Sequence, residues 1–351
     1  MIVVVPSSRS ITLEYVEPLI ASGARFIIVD DSEGSIVIDH PQFEVYNWND
    51  QRRMLGDLQR AIPRRNGACR DFGFYVAWKN SEPGEIIITL DDDEIAGKSF
   101  AADVERTLEN RTRRVASGAG KHFNIFDCYQ NVEKNLYPRG FPYSARTEHA
   151  PWGFEQQVSC DVAFNLGLWT NIFDINAIDK LQGPRYTYPD AELRHPSVLV
   201  PHGAMVSVCA GNMQFRRELI PAVYQLLMHV EVMPGWVIDR YGDIWGGFIL
   251  KTLMDRKGDR MAVGAPMIHH LKEGSFQRNI WQEHLCHLVN DEFLALLDRA
   301  RDEVAPGDYR VMMEQLAEIF AREREGCSAI LRRYFDHLLP AMKAWVKALS
   351  L

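Results

Sequence analysis

The sequence predicts an α/β protein with a Rossmann-like, mostly parallel central sheet and a helical extension at its C-terminus. Three observations predict it. Short apolar runs alternate with helical patterns over the first hundred residues, acidic clusters follow two of these runs, and helical periodicity is continuous beyond about residue 280. We therefore expect one domain over residues 1–280, on which residues 281–351 pack as a helical extension.

The first hundred residues supply the strands and helices of this sheet. Strands that alternate with helices form βαβ units, and ligands of such sheets bind beyond the carboxyl ends of the strands. We predict strands at 2–5, 26–29, 43–46 and 85–90, and helices at 12–22, 51–61 and 68–78, where apolar residues follow helical spacing.

The rest of the chain changes character twice. Residues 127–212 are rich in Pro, Gly and aromatic residues with weak periodicity, which predicts ordered loops that cover a pocket. Helical spacing then returns at 215–229 and 243–256, and 261–263 predicts a strand. The apolar stripes beyond 280 pack against the main domain or against another subunit, so a homo-oligomer is possible.

Composition excludes some classes of function. The net charge is −8 and no basic tract stands out, so we expect no binding to nucleic acid. The apolar run at 2–5 is too short for a signal peptide, and no stretch is long enough to span a membrane, which predicts a cytoplasmic protein. The six cysteines lack metal spacing, so we expect reduced, mostly buried thiols.

The main chemical signal is the triplet Asp91, Asp92 and Asp93, which follows the apolar run EIIITL. Carboxylates at a strand end are typical ligands for Mg²⁺ or Mn²⁺ shared with a substrate diphosphate, and such DxD motifs occur in glycosyltransferases. Three neighbouring carboxylates would repel one another without a cation. The alternative interpretation is a solvated turn or a helix cap.

Polar residues follow the first two strands as well. Asp30 and Asp31 end the second run, where an acid can accept a hydrogen bond from a ribose or a base. Pro6, Ser7 and Arg9 follow the first run, so both strand ends would face one crevice. A simple turn would also explain the two acids.

Other candidates lie at predicted helix starts and near the last strand. Asn66 suits a turn into a helix, and Arg70, one turn later, could reach a phosphate, although taken alone an exposed salt bridge explains it better. Asp243 is a possible helix cap or hydroxyl acceptor. At most one histidine of His269 and His270 could join a metal site, because adjacent side chains diverge.

The order and spacing of several motifs resemble one family along nearly the whole chain. The motifs are YNWNDQRRMLG (46–56), NGACRDFGF (66–74), ITLDDDE (88–94), RGFPYSAR (139–146), GNMQFRREL (211–219), RYGDIWGGF (240–248), PMIHHLKEG (266–274) and AMKAWVKAL (341–349). On these motifs the sequence resembles the reversibly glycosylated polypeptides, also called UDP-arabinopyranose mutases, which form glycosyltransferase family 75.

This resemblance implies a GT-A fold, a UDP-sugar substrate and a divalent metal, Mn²⁺ or Mg²⁺. It places the metal-binding DxD on Asp91–Asp93 and the family's late histidine on His270. It also places the reversibly glycosylated arginine on Arg139 and a second required arginine on Arg146. Residues 1–126 would then bind nucleotide and metal, and residues 127–280 would bind the sugar or an acceptor.

The sequence departs from the family pattern at two places, and these departures leave three activities open. Gly242 stands where the family has the first of two acids, and the segment MPGWVID lacks the family's glycine- and glutamine-containing loop. We expect a UDP-sugar mutase or self-glycosylating protein; the alternatives are a glycosyltransferase with Asp243 as base and a non-catalytic binding subunit. Arg139 would hold the sugar covalently or act only by its charge, since a guanidinium scarcely deprotonates.

Overall fold

A computed structural model describes residues 1–32, 34–271 and 274–351 of the chain. Lys272 and Glu273 of the PMIHHLKEG motif lie outside the described residues. The strands are β1 (Ile2–Ser7), β2 (Arg25–Asp30), β3 (Phe43–Tyr46), β4 (Ile86–Thr89), β5 (Glu94–Ala96), β6 (Arg111–Ser117), β7 (His122–Phe123), β8 (Gly153–Cys160), β9 (Phe164–Ile172), β10 (Thr187–Tyr188), β11 (Ser197–Leu199), β12 (Met205–Val206), β13 (Met213–Arg216), β14 (Val230–Met233), β15 (Trp236–Ile238) and β16 (Met261–His270). The helices are α1 (Glu17–Ala21), α2 (Trp48–Leu55), α3 (Arg70–Asn80), α4 (Phe100–Thr107), α5 (Gly242–Lys257), α6 (Phe276–Arg301), α7 (Tyr309–Glu323) and α8 (Ala329–Ser350).

The predicted α/β architecture with a large central sheet is confirmed. In the described ranges, twelve strands form this sheet, with β3-β2-β1-β4-β13-β9-β16-β11-β6-β8 as the main path. β3, β2, β1 and β4 are mutually parallel, β13 enters antiparallel to both its neighbours, and β9 and β16 are parallel to each other. The carboxyl ends of β1, β2 and β4 therefore meet at one edge of the sheet.

Burial of β1 and β2 explains why their apolar runs predict strands so clearly. Both strands are covered on both faces, as is typical of parallel sheets. Helix α3 packs closely on them. Gly73 permits this approach, because a Cβ at that position would overlap the Val4 side chain. This close approach fixes the start of α3, and with it Arg70, beside the carboxyl ends of the strands.

Two segments differ from their prediction. Residues 127–212 contain β8, β9 and three shorter strands, and β9 lies near the centre of the sheet. Its apolar pattern is interrupted by buried Asn165, whose Nδ2 donates to Gln214 Oε1 on β13 at 2.6 Å.

The helix predicted at 215–229 was wrong: β13 ends at Arg216, and a 3₁₀ turn and an irregular buried segment follow. That segment instead hydrogen-bonds to α5, from Leu226 N to Gly242 O at 3.1 Å.

Most shorter predictions hold with changed bounds. The predicted helix at 12–22 is a 3₁₀ turn followed by α1, and the one at 51–61 is α2 followed by a 3₁₀ segment. The strand predicted at 261–263 continues to His270 as β16. The cysteines are free thiols, five buried and Cys209 partly exposed, as expected. None of the helices in the described ranges combines the length and the hydrophobicity that a membrane-spanning segment needs.

The three C-terminal helices pack on the sheet-bearing part of the chain. Buried Trp345 of α8 stacks on Tyr224 with 5.3 Å between ring centroids, and its Nε1 donates to Pro221 O at 3.0 Å. Trp78 Nε1 on α3 donates to Leu349 O at 3.0 Å. These contacts tie α8 to the segment that lines the cavity described below.

We predict that Trp345→Ala lowers the free energy of unfolding by about 3–5 kcal/mol, because it removes a fully buried ring and leaves a cavity. Urea denaturation followed by circular dichroism measures this change. Val311→Ala is the control, since Val311 on α7 is exposed and its replacement should cost less than about 0.5 kcal/mol. Equal effects of the two substitutions would contradict the packing role of α8.

Candidate active site

A cavity of about 300 Å³ opens at the carboxyl ends of β1 and β4 and extends toward the start of α5. Its walls are strongly polar and bring together residues from the two predicted halves of the domain. The predicted site residues that line it are Pro6, Arg70, Asp91, Asp92, Asp93, Arg139, Asp243 and His270.

The charges of the acidic triplet are compensated from two sides. Arg9 contacts Asp92 through Nη2, and the same nitrogen lies 3.3 Å from Asp93 Oδ2. Ser7 Oγ donates to Asp92 Oδ2 at 2.5 Å. Arg70, which is buried, pairs with Asp91 and also donates to Ala210 O at 2.6 Å. The residues at the end of β1 thus meet those after β4, whereas the sequence analysis had paired the end of β1 with the acids that follow β2.

Glu94 is a fourth acid of this cluster that sequence reasoning missed, although it ends the ITLDDDE motif. Its Oε2 accepts the Asp91 backbone N–H at 2.7 Å, and its side chain is buried. Burial and the charge of Asp91 raise the pKa of Glu94 well above its usual value. Gly211 makes room for Glu94, because a Cβ there would overlap the carboxyl group.

The donor set fits a hard divalent cation in its chemistry, although the ligands do not already converge. Asp93 Oδ1 lies 3.9 Å from His270 Nε2, and His270 Nδ1 is within 3.0 Å of Ile172 O. Burial and the charge of Asp91 raise the pKa of Asp93. Among the described residues no three acidic, histidine or cysteine groups form a ready-made metal site. Arg9 lies against two of the carboxylates, and its side chain is 45% exposed.

Arg139 is the centre of the opposite wall. Its Nε donates to both oxygens of Asp174 at 3.0 and 2.9 Å, and its Nη2 donates to Asp243 Oδ2 at 2.8 Å. Nη1 donates to the carbonyl of Arg240. Burial alone would lower the pKa of Arg139, but the carboxylates of Asp174 and Asp243 raise it well above its usual value. The resting guanidinium is therefore protonated and held rigidly.

Arg146 lies outside the cavity wall and stabilises the loop that carries Arg139. Its guanidinium forms a bidentate pair with Asp179 at 3.0 and 2.8 Å and lies 4.0 Å above the Tyr143 ring. Asp179 also accepts from Asn176 Nδ2 at 3.2 Å, and Asn176 Oδ1 accepts from Gly140 N at 2.9 Å. Arg146 therefore reaches Arg139 through this chain of hydrogen bonds.

The acids after β2 are engaged within the protein. Asp30 is buried and accepts the N–H groups of Ser32 and Ile36, which closes the loop after the strand. Asp31 accepts Trp48 Nε1 at 2.7 Å and Asn66 N at 3.1 Å. Neither acid nor Asn66 is among the residues that line the cavity.

Asn66 connects this side of the sheet to the C-terminal part of the domain. Its Nδ2 donates to Asp239 Oδ1 at 2.8 Å, and Asp239 is buried next to Arg240 in the chain. Arg240 lines the cavity, has a left-handed backbone (φ 63°) and donates through Nε to Glu283 at 2.9 Å. The sequence motif RYGDIWGGF pointed to this region but not to Arg240 itself.

Asp174 is a further functional candidate that the sequence analysis missed. It lies in WTNIFDINAI, a segment without clear periodicity, at the end of β9. Only the fold shows that its carboxylate meets Arg139.

A larger cleft of about 650 Å³ lies elsewhere, between the β6–β8 edge of the sheet and the loop after residue 125. It contains none of the predicted site residues and shares no lining residue with the smaller cavity. We take the smaller cavity as the site because the acidic triplet and Arg139 face each other across it.

Comparison with known proteins decides the family. The family model described as "Reversibly glycosylated polypeptide" matches residues 1–351. The chain belongs to the reversibly glycosylated polypeptide family. This confirms the resemblance on which the sequence motifs were placed.

Several relatives of this family align along almost the whole chain. A Pisum sativum protein named "Probable UDP-arabinopyranose mutase 1" is 31% identical over 99% of this chain and 89% of its own. A Solanum tuberosum protein named "Probable UDP-arabinopyranose mutase 2" is 30% identical over 99% of this chain and 88% of its own. An Arabidopsis thaliana "UDP-arabinopyranose mutase 1" is 29% identical over 99% of this chain and 91% of its own. The match to the family model therefore includes every residue that lines the cavity.

We predict that Glu94→Gln changes how stability depends on pH. A buried acid with a raised pKa keeps a proton that the unfolded chain releases, so the wild type loses stability as pH rises above the ordinary value of 4.5. The loss is at most about 1.4 kcal/mol per pH unit, and glutamine removes it. Urea denaturation between pH 5 and pH 8 measures the slopes.

The control is Glu105→Gln, which replaces an exposed acid on α4 and should leave the slope of the wild type unchanged. Parallel curves for the wild type and Glu94→Gln would show that Glu94 is ionised in the folded protein.

Proposed function

We propose that this protein is a metal-dependent UDP-sugar mutase of the GT-A type, which interconverts the pyranose and furanose forms of the sugar. UDP-arabinopyranose is the first substrate to test, because the relatives are named for it. The observation that carries the proposal is Arg139, clamped by Asp174 and Asp243 across one cavity from the acidic triplet. One wall would hold the diphosphate and the other would hold the sugar.

Ring contraction makes a specific chemical demand on the sugar wall. The anomeric carbon must stay attached to the enzyme while its bond to the ring oxygen opens and another hydroxyl adds in its place. A nitrogen attached to that carbon can donate its lone pair to open the ring, whereas a carboxylate ester cannot. Arg139 Nη2 is the nitrogen that we propose for this role.

The first step then balances as follows. Nη2 of Arg139 forms a bond to the anomeric carbon, and the bond from that carbon to the diphosphate oxygen breaks with both electrons leaving on UDP. Asp243 Oδ2, which accepts from Nη2 at 2.8 Å, takes the proton that Nη2 loses. The lone pair of Nη2 then expels the ring oxygen, which takes up a proton, and another hydroxyl adds to the same carbon and loses its proton. UDP finally attacks the anomeric carbon, the bond from that carbon to Nη2 breaks with both electrons going to Nη2, and the proton returns from Asp243 to Arg139.

The raised pKa of Arg139 sets the timing of this proton transfer. The resting guanidinium is too weak an acid to be deprotonated in advance, so its proton must move to Asp243 as the new bond forms. Asp174 holds Nε through both carboxylate oxygens and keeps the guanidinium plane fixed during the step. Asp174 is therefore a positioning residue, and Asp243 is the base.

The diphosphate would lie against the triplet and Arg70. Asp91, Asp92, Asp93 and His270 are the residues that would hold Mn²⁺ or Mg²⁺, and a bound cation would neutralise the charge that develops on the leaving diphosphate. Arg9 would move from the carboxylates to a phosphate oxygen. Arg70 stays paired with Asp91 and keeps that carboxylate oriented.

The geometry favours the mutase over transfer to an external acceptor. A transferase needs a carboxylate that is free to take a proton from an acceptor hydroxyl. Asp243 is already engaged by two nitrogens of Arg139 and by Ala210 N, so it serves the arginine before it could serve an acceptor. This arrangement also gives the site a chemical task, which a purely binding subunit would not need.

Incubation of the purified protein with UDP-arabinopyranose and Mn²⁺, without any acceptor, tests the proposal. We expect UDP-arabinofuranose to accumulate to a constant ratio, loss of this exchange on chelation, and recovery when Mn²⁺ is added back. Chromatography and NMR of the nucleotide-sugars measure the products. Release of UDP and free arabinose without any furanose form would contradict the proposal.

Two variants make this result specific to the site. Asp93→Asn should slow exchange by about tenfold or more, because it removes a proposed cation ligand. Asp298→Asn removes a surface acid paired with Lys121 at 3.0 Å and should leave exchange unchanged. Exchange that persists after chelation, with both variants as active as wild type, would exclude the proposed cation site.

A further inference from the structure

Asn279 is a polar side chain of the cavity that the mechanism above does not use. It lies in the first turn of α6, where its N–H donates to Ser275 O at 2.9 Å, and the residue is 6% exposed. It lines the same cavity as Arg139, Asp243 and His270, and the other main cavities of the described ranges are lined without it. Asparagine is a poor helix former and is seldom buried without a hydrogen-bond partner, so this position calls for one.

The amide of Asn279 is unpaired but not enclosed. It forms no hydrogen bond with the residues that the structure describes, and neither of its polar atoms belongs to the unpaired side-chain atoms that are shielded from solvent. Both amide atoms are therefore open to water. An amide in this state can donate through Nδ2 and accept through Oδ1 at the same time.

Gly274 shows which space the amide borders. Gly274 lines the same cavity, and a Cβ at this position would lie 3.5 Å from Asn279 Nδ2 and 3.6 Å from Oδ1. The amide is thus the group nearest to the missing side chain, and a longer residue at position 274 would cover it. Glycine leaves the amide uncovered in the cavity wall.

Asn279 lies on the side of the cavity that holds Arg139. Glu283, four residues further along α6, accepts Arg240 Nε at 2.9 Å, and the carbonyl of Arg240 accepts from Arg139 Nη1. Residues four apart share one face of a helix, so Asn279 lies on the face of α6 that reaches Arg139 through Glu283 and Arg240. This is the wall to which the proposed function assigns the sugar.

We infer that Asn279 is a specificity residue, whose amide binds a hydroxyl group of the sugar carried by UDP. This inference rests on the proposed function for the class of ligand. A hydroxyl group both donates and accepts, as the amide does, whereas a phosphate oxygen only accepts and would leave Oδ1 facing negative charge. Asn279 takes no part in the bond changes at the anomeric carbon.

The test compares UDP with UDP-arabinopyranose, bound by isothermal titration calorimetry to wild type, Asn279→Ala and Gln277→Ala. We expect Asn279→Ala to lose about two- to tenfold in affinity for UDP-arabinopyranose and to keep its affinity for UDP. Alanine removes the amide without adding bulk, so a loss does not come from a steric clash. Gln277 is exposed on the same turn and does not line the cavity, so Gln277→Ala should leave both affinities unchanged.

Thermal unfolding of the three proteins is measured in parallel. Asn279→Ala should melt no lower than wild type, because no hydrogen bond within the protein is lost and alanine favours the helix. A lower melting temperature would overturn the inference, since the amide would then be paired in the folded protein.

The binding data separate this inference from its foundation. Equal losses for both ligands in Asn279→Ala, no loss for either, or the same sugar-specific loss in Gln277→Ala overturns the role of Asn279 even where mutase exchange is observed. A wild type that binds neither ligand overturns the proposed function, and this inference with it.

Discussion

The interaction on which the site depends is the pairing of one buried cation with two carboxylates. Arg139, Asp174 and Asp243 come from three segments that are far apart in the chain, and each would be costly to bury alone. Arg139 N also donates to Asp174 O at 3.0 Å, so backbone and side chain fix the same contact. The end of β9, the loop at 139 and the start of α5 are thereby held in one arrangement.

The opposite wall has the reverse balance of charge. Four acids follow β4 within five residues, and in the described ranges the arginines that pair with them are Arg9 and Arg70. Burial and the charge of Asp91 raise the pKa of both Glu94 and Asp93, so full ionisation of this wall is unfavourable. The cavity thus has one acidic wall, which in the proposed function holds a metal cation and the diphosphate. The opposite wall carries its own positive charge, the guanidinium of Arg139. A nucleotide-sugar has the matching division into an anionic part and a neutral part.

Much of this arrangement was predictable from local sequence pattern. The runs that became β1, β2 and β4 are short, apolar and followed by acids, so the edge of the sheet and the triplet could be placed directly. Arg139, Arg146 and His270 depended on the family resemblance. Glu94 and Asp174 were missed because their importance comes from contacts with residues distant in the chain, and Asn279 was missed because only the fold brings it to the cavity. β9 was missed because buried Asn165 interrupts its apolar pattern. Its amide is tolerated inside the sheet because it donates to Gln214 on β13.

In the proposed mechanism Arg139 holds the sugar while the diphosphate is detached. This covalent step is tested by peptide mass spectrometry of the protein, quenched with acid during incubation with UDP-arabinopyranose and Mn²⁺. We expect a pentose adduct on the peptide that contains Arg139, and its loss after a chase with excess UDP. An adduct that maps to another residue, or labelling that is undiminished in Arg139→Ala, would contradict it.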